Sequence, residues 1–172
     1  EGLSRVTLGN FLIKRVVYEL QEELPYIKNF GTLSPIPGFA EWFSYLEDSK
    51  IKNILTDFKD KNLSFLKSKN LKIGDNRIID HKEALIKLVI HYIINEKNKD
   101  GLPMNDVSRF HLGNGAIVED IVINANISEQ GFKRSYGVMI NYLYELNNIE
   151  KNHEDYMNNK KVIVSDKIKK YI

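Results

Sequence analysis

Apolar residues at Leu8, Leu12, Ile13, Val16, Val17, Leu20 and Leu24 recur at helical spacing, with Lys14, Arg15, Glu19 and Glu22 between them. The spacing predicts an amphipathic helix over about 9–24, which Pro25 ends. Ala84, Leu85, Leu88, Val89, Tyr92 and Ile93 form a second stripe, predicting a helix over about 80–97 with Asp80 as its cap. Shorter apolar clusters predict helices near 39–47 and 50–58 and after Ser128, and IEKNHEDYM reads as a polar helix or turn. Strands follow a different period. Val138, Ile140, Tyr142 and Tyr144 alternate with their neighbours, and residues 116–124 alternate in part, so both read as strands. KNFGTLS, about 28–34, is a third strand candidate. A polar connection is expected at about 67–77 and a loop at 99–106, from their Gly, Pro and Asn content. The C-terminal KVIVSDKIKKYI reads as a helical end. The pattern predicts a mixed α/β (α+β) chain.

Composition narrows the class. The 172 residues suit one domain over 1–172, and 42% hydrophobic content supplies a core. A formal charge of +2 is too small to argue for nucleic acid, and the Lys-rich stretches at 50–72 and 158–170 read as solvated helix faces. No cysteine is present, which excludes disulfides, thiolate catalysis and cysteine–zinc sites. No apolar run approaches the roughly 20 residues of a membrane span. The start EGLSRVTLGN has no signal-peptide pattern, and the end KKYI lacks the peroxisomal SKL signal. A cytoplasmic protein is expected, with mitochondrial and peroxisomal placement open.

Candidate chemistry begins at TLSPIPGF, residues 32–39. Proline restricts the residue before it to extended backbone, so Ser34 sits on a stiff segment that turns at Pro37-Gly38. Either this is a strand end with a proline-rich turn, or it aims a hydroxyl. Among the four histidines, His81 and His91 read as structural or solvent-facing and His153 as a solvated surface residue. His111 differs because Phe110 and Leu112 flank it and Gly113-Asn114-Gly115 follows. It reads as a packing histidine or as a proton donor beside a turn whose N–H groups could hold an anionic oxygen. SRVTLGNF places Gly9 and Asn10 at a helix start, where unsatisfied N–H groups suit phosphate. No HExxH, EF-hand, Walker or GxGxxG pattern occurs, so no metal is predicted.

LGNFLIKRVVYELQEELPYIKNFGTLSPIPGF, FHLGNGA and YGVMINYLYELNNIEKNHEDY, in that order, resemble the malonyl-CoA decarboxylase family over about residues 2–47 and 103–157. The resemblance implies an acetyltransferase-like (GNAT-type) mixed sheet flanked by helices and lacking its N-terminal strands, with an open sheet edge as a result. It makes residues of about 50–100 a variable helical insertion. It implies decarboxylation of malonyl-CoA to acetyl-CoA and CO2 by Ser34 and His111, with Asn114 and Tyr144 in support. The CoA-phosphate loop falls on Ser4, Arg5, Val6, Thr7, Leu8, Gly9 and Asn10, although Arg5 stands where the family has glycine and Thr7 where it has an acidic residue.

The chemistry fits those residue types. Loss of CO2 from a malonyl thioester leaves an enolate whose electron sink is the thioester carbonyl, so no cofactor is expected. Ser34 would orient the carboxylate and His111 would protonate carbon. Backbone N–H groups at Gly113–Gly115 or Leu33–Ser34 would hold the enolate oxygen. Malonyl-CoA is the expected partner and the full-length protein a homo-oligomer. A CoA-dependent acyltransferase and a non-catalytic acyl-CoA-binding module are the alternatives.

Overall fold

The structure, a computed structural model, describes residues 8–59 and 62–172. A three-stranded antiparallel sheet forms its centre: β1 (Phe30–Pro35), β2 (Ile117–Val122) and β3 (Met139–Tyr144), in the order β1-β3-β2. In the register, Thr32 faces Tyr142, Ser34 faces Ile140 and Phe30 faces Tyr144. Strand side chains alternate between faces, so these six residues share one face. Ile140, Tyr142 and Tyr144 are all buried on it. An irregularity between Val118 and Asp120 breaks the β2 register. Val118 pairs with Tyr142 and Ile121 with Ile140, so the extra residue lets two apolar side chains three apart face the same core.

The outer edge of β2 is covered. Val118 N–H donates to Ile163 O at 3.0 Å and Ser165 N–H to Val118 O at 2.9 Å. Ser165 Oγ donates to the carbonyl of Glu119 at 2.7 Å, at the bulge. Residues 162–165, expected to be helical, are therefore extended, and only α9 (Asp166–Lys169) is a helix. An unpaired edge strand supplies the hydrogen bonds that overrule the local pattern. Among the described residues, no strand pairs with the outer edge of β1.

Helices pack around the sheet. The first, α1 (Leu8–Glu23), matches its predicted span. It buries Val17, leaves Ile13 and Leu20 half-buried and exposes Val16. A helical layer follows β1, made of α2 (Phe39–Tyr45), α3 (Asp48–Ile54), a 3-10 turn at Ser64–Lys67, α4 (Asn76–Asp80) and α5 (Lys82–Ile94). Helix α5 buries Ala84, Leu85, Leu88, Val89, Ile90, Tyr92 and Ile93, so it is apolar nearly all round and sits inside the layer. Its start corrects one expectation. Asp80 ends α4 rather than capping a long helix, and His81 occupies the position between the two helices. The side chain of Asp75, which accepts from Arg77 N–H at 3.0 Å, caps α4 instead. Phe39, Trp42, Tyr92 and Tyr136 interlock at ring separations of 5.1–6.2 Å, joining α2, α5 and the end of α7 (Glu129–Ser135). Fully burying one such ring stabilises by roughly 1.5–3 kcal/mol.

Two further helices complete the site region. Helix α6 (Asp106–Gly113) carries His111, in a stretch whose pattern predicts no helix, and α8 (Ile149–Asn159) packs against it.

Candidate functional site

Strand β1 delivers Ser34 to the buried sheet face. Pro35, its last residue, holds Ser34 extended, and Gly38 then turns the chain into α2 at φ +85°. A side chain at Gly38 would be strained there and would also press on the Tyr92 hydroxyl at 2.9 Å.

Helix α6 brings His111 to the same face. Its cap is Asn105, whose Oδ1 accepts from Ser108 N–H at 2.8 Å and from Ser108 Oγ at 3.0 Å. The Asn105 Nδ2 donates to Pro37 O at 2.7 Å, so the proline turn and the start of α6 are tied together. Tyr142 donates its hydroxyl to Ser108 Oγ at 2.7 Å, which extends the tie to β3. The Tyr142 ring in turn stacks on His111, with centroids 4.4 Å apart and planes at 19°. The Asn105, Ser108 and Tyr142 side chains are all buried, Asn105 at 2% exposure and Ser108 at 0%. A satisfied buried network of this kind fixes geometry, because each broken bond would leave a desolvated orphan.

The consequence is a direct contact. Ser34 Oγ lies 2.9 Å from His111 Nε2, across 77 positions of sequence, and both residues are buried. On its other side, His111 Nδ1 meets the Tyr144 hydroxyl at 2.8 Å. Ser34 Oγ also reaches Thr32 Oγ1 at 3.2 Å. Burial pushes the His111 imidazole down to about 4, so it is neutral near neutral pH. Burial pushes the Tyr144 and Tyr142 phenols well above their ordinary range. Both phenols therefore keep their protons, and Tyr142 donates its own to Ser108 Oγ.

Other expected groups lie elsewhere. Ser4, Arg5, Val6 and Thr7 fall outside the described residues, and Leu8, Gly9 and Asn10 form the first turn of α1. The Gly113–Gly115 turn does not offer free N–H groups. Asn114 N–H bonds Phe110 O at 3.1 Å and Gly115 N–H bonds Leu112 O at 2.9 Å. Both close the last turn of α6, which corrects the expectation that they hold an enolate oxygen. Asn114 itself donates Nδ2 to Phe110 O at 2.6 Å, and its Oδ1 is buried without a partner among the described residues.

His153 is half-buried rather than solvated, because its Nδ1–H donates to Gly113 O at 2.7 Å and so caps the end of α6. His81 donates Nδ1–H to Arg77 O at 2.8 Å, and His91 stacks on Trp42. No group of three or more His, Asp or Glu among the described residues could hold a metal ion. None of the described helices is long and apolar enough to cross a membrane.

A family model for the malonyl-CoA decarboxylase C-terminal domain matches residues 1–172. The chain belongs to the malonyl-CoA decarboxylase family. It is 33% identical over 190 residues to the mitochondrial malonyl-CoA decarboxylase of Anser anser anser, covering 100% of this chain and 38% of the relative. The mitochondrial enzyme of Rattus norvegicus is 34% identical over 186 residues, covering 98% of this chain and 38% of the relative. Among solved structures, malonyl-CoA decarboxylase from Agrobacterium vitis superposes with a TM-score of 0.81 at 38% identity, covering 99% of this chain and 42% of the solved one. The Cupriavidus metallidurans protein gives 0.80 at 34% identity, covering 99% and 45%. The chain thus spans less than two-fifths of the length of the curated malonyl-CoA decarboxylases it matches.

Three residues that shape this site, Thr32, Tyr142 and Asn105, are not among the candidates its motifs single out. Thr32 lies in TLSPIPGF, and the strand period of two sets it beside Ser34. The same period sets Tyr142 beside Tyr144. Asn105 falls in the segment expected to be a loop; it caps α6 and bonds Pro37 O across 68 positions, a contact no local pattern encodes.

Proposed function

We propose that this chain carries the reacting groups of a malonyl-CoA decarboxylase, which converts malonyl-CoA to acetyl-CoA and CO2. The observation that supports it most directly is the 2.9 Å contact between Ser34 and His111, each supplied by a motif shared with the family.

Ser34 binds and orients the malonyl carboxylate, holding it out of the thioester plane. The free imidazole is neutral, and a carboxylate arriving beside it favours the imidazolium. The substrate thereby charges the acid it needs. The C–C bond to the carboxylate breaks, CO2 leaves, and the electron pair enters the thioester to form an enolate. His111 then gives its Nε2 proton to carbon, which leaves the neutral ring protonated on Nδ1, and proton exchange with solvent restores the resting tautomer. Tyr144 holds the ring from Nδ1. Residues 4–10 take the CoA phosphates in this reading. The sheet belongs to an acetyltransferase-like fold, with a variable insertion at about 50–100, and the full-length protein self-associates.

Release of labelled CO2 from malonyl-CoA, with no acceptor added, is the test. Loss of a general acid costs about 100- to 10,000-fold. His111→Ala should therefore lose that much turnover while calorimetry still detects CoA binding. Turnover at the parental rate in that variant would refute the assignment of His111. Binding of malonyl-CoA with no turnover in the parent would favour an acyl-CoA-binding module.

A further inference from the structure

Four polar groups stand in a row on the buried sheet face. The Tyr144 hydroxyl meets His111 Nδ1 at 2.8 Å, His111 Nε2 meets Ser34 Oγ at 2.9 Å, and Ser34 Oγ meets Thr32 Oγ1 at 3.2 Å. A neutral imidazole has one N–H and one lone pair, so two polarities pass one proton along each contact. A third, in which Ser34 accepts from both Nε2–H and Thr32, strands the hydroxyl proton of buried Ser34. In one of the two, Thr32 donates to Ser34, Ser34 donates to Nε2, and Nδ1–H donates to Tyr144. The phenol proton of Tyr144 then needs another acceptor. Tyr144 is 2% exposed, and His111 is the hydrogen-bond partner the structure gives its hydroxyl. That polarity leaves a buried donor unmatched, at the full cost of its desolvation.

The opposite polarity matches every contact. Tyr144 donates to Nδ1, Nε2–H donates to Ser34, and Ser34 donates to Thr32. The one proton left over belongs to Thr32, whose half-buried side chain has access to water. The phenol is also the more acidic partner of the Tyr144–His111 pair, so an O–H···N bond is the favoured alignment.

We infer that the resting His111 carries its proton on Nε2, and that Thr32 is the positioning residue that holds it there by accepting the hydroxyl proton of Ser34. Thr32 touches neither the imidazole nor a reacting atom. It acts by turning the Ser34 lone pair toward Nε2–H. The same polarity separates two chemistries. With its proton directed at Thr32, Ser34 has no base in the resting site and is not an activated nucleophile, whereas His111 keeps its proton on Nε2, the nitrogen beside Ser34. The functional consequence rests on the decarboxylase reading, but the tautomer does not.

The test uses the chain labelled with 15N-histidine. Long-range proton–nitrogen correlation near neutral pH reports which ring nitrogen of His111 is protonated, with His111→Gln identifying the signal. The proton is expected on Nε2 in the parent. Thr32→Val keeps the shape and suits a strand but removes the acceptor. It should shift the tautomer ratio toward Nδ1–H by about two- to tenfold, the range of one hydrogen bond. Thr32→Ser should restore the parental ratio. A parental proton on Nδ1 would overturn the inference by itself, even if no variant folded, and so would an unchanged ratio in Thr32→Val. A chain inactive on malonyl-CoA that still shows Nε2–H would refute the decarboxylase reading and support the tautomer assignment.

Discussion

Gly115→Ala isolates the junction that follows His111. Gly115 sits at φ +81°, and a Cβ built there would lie 2.2 Å from Ile149 O and 2.9 Å from its carbonyl carbon. Two costs combine. A non-glycine residue in the left-handed region costs about 1–2 kcal/mol. The clash is with backbone, so it cannot be relieved by swinging a side chain. Moving the start of α8 away adds about 1–3 kcal/mol, the usual range for forced overpacking. The sum is about 2–5 kcal/mol, or roughly 4–20 °C in midpoint for a domain of this size.

Gly101 provides the control. Its φ is +74°, yet nothing lies within 4 Å of a Cβ there, so Gly101→Ala should show the conformational cost alone, about 1–2 kcal/mol. Urea unfolding followed through the single tryptophan, Trp42, measures both. The displacement should also reach the site. Ile149 heads the helix whose Asn152 and His153 hold the carbonyls of Gly115 and Gly113, and the same turn ends the helix carrying His111. Equal destabilisation in the two variants would show that the close approach to Ile149 is not a real constraint, and the reasoning would fail.

Asn105 serves both as a helix cap and as a cross-link, and two substitutions separate these roles. Asn105→Ser keeps a cap acceptor for Ser108 N–H but cannot reach Pro37 O, so it should lose less stability than Asn105→Ala, which forfeits a cap worth about 1 kcal/mol as well. Equal losses in chemical denaturation would argue against the cap. Tyr142→Phe keeps the ring stacked on His111 and removes only the bond to Ser108. Its expected cost is about 1 kcal/mol, and a neutral effect would mean that the hydroxyl does not tie β3 to α6. The pH dependence follows from His111. Burial lowers it from 6.5 to about 4, so the unfolded chain takes up a proton that the native chain refuses between those values. Its contribution to stability is complete above 6.5 and falls as pH drops toward 4, by up to about 3 kcal/mol. His111→Gln should flatten that slope in unfolding curves at about pH 7.5 and about pH 4.5, and an unchanged slope would assign the effect to other groups.

Much of the architecture was legible along the chain. The stripe from Leu8 to Leu20 predicted α1, the alternation from Val138 to Tyr144 predicted β3, and Ser128 marked the start of α7, where its side chain accepts from Gly131 N–H at 3.0 Å. These features depend on residues two to four positions apart, and side-chain direction over that range is set by backbone period alone. Helix α6 was missed because its eight residues alternate too few apolar positions to declare a period. Residues 162–165 misled for the opposite reason. Their local pattern was overruled by hydrogen-bond groups on β2 that a linear reading does not see.

By itself, the sequence determined which residue types were available and how each short segment folds: an extended Ser34 ahead of proline, a histidine beside a glycine turn, and alternating tyrosines at 142 and 144. Only the tertiary structure decided that these groups share one face. The strand order β1-β3-β2 and the register of Thr32 against Tyr142 set the distances, and the tie from Asn105 to Pro37 brings α6 over them. A one-residue slip in that register would send Ser34 to the other side of the sheet. Pairing across 77 positions depends on that register and packing, which no local period encodes.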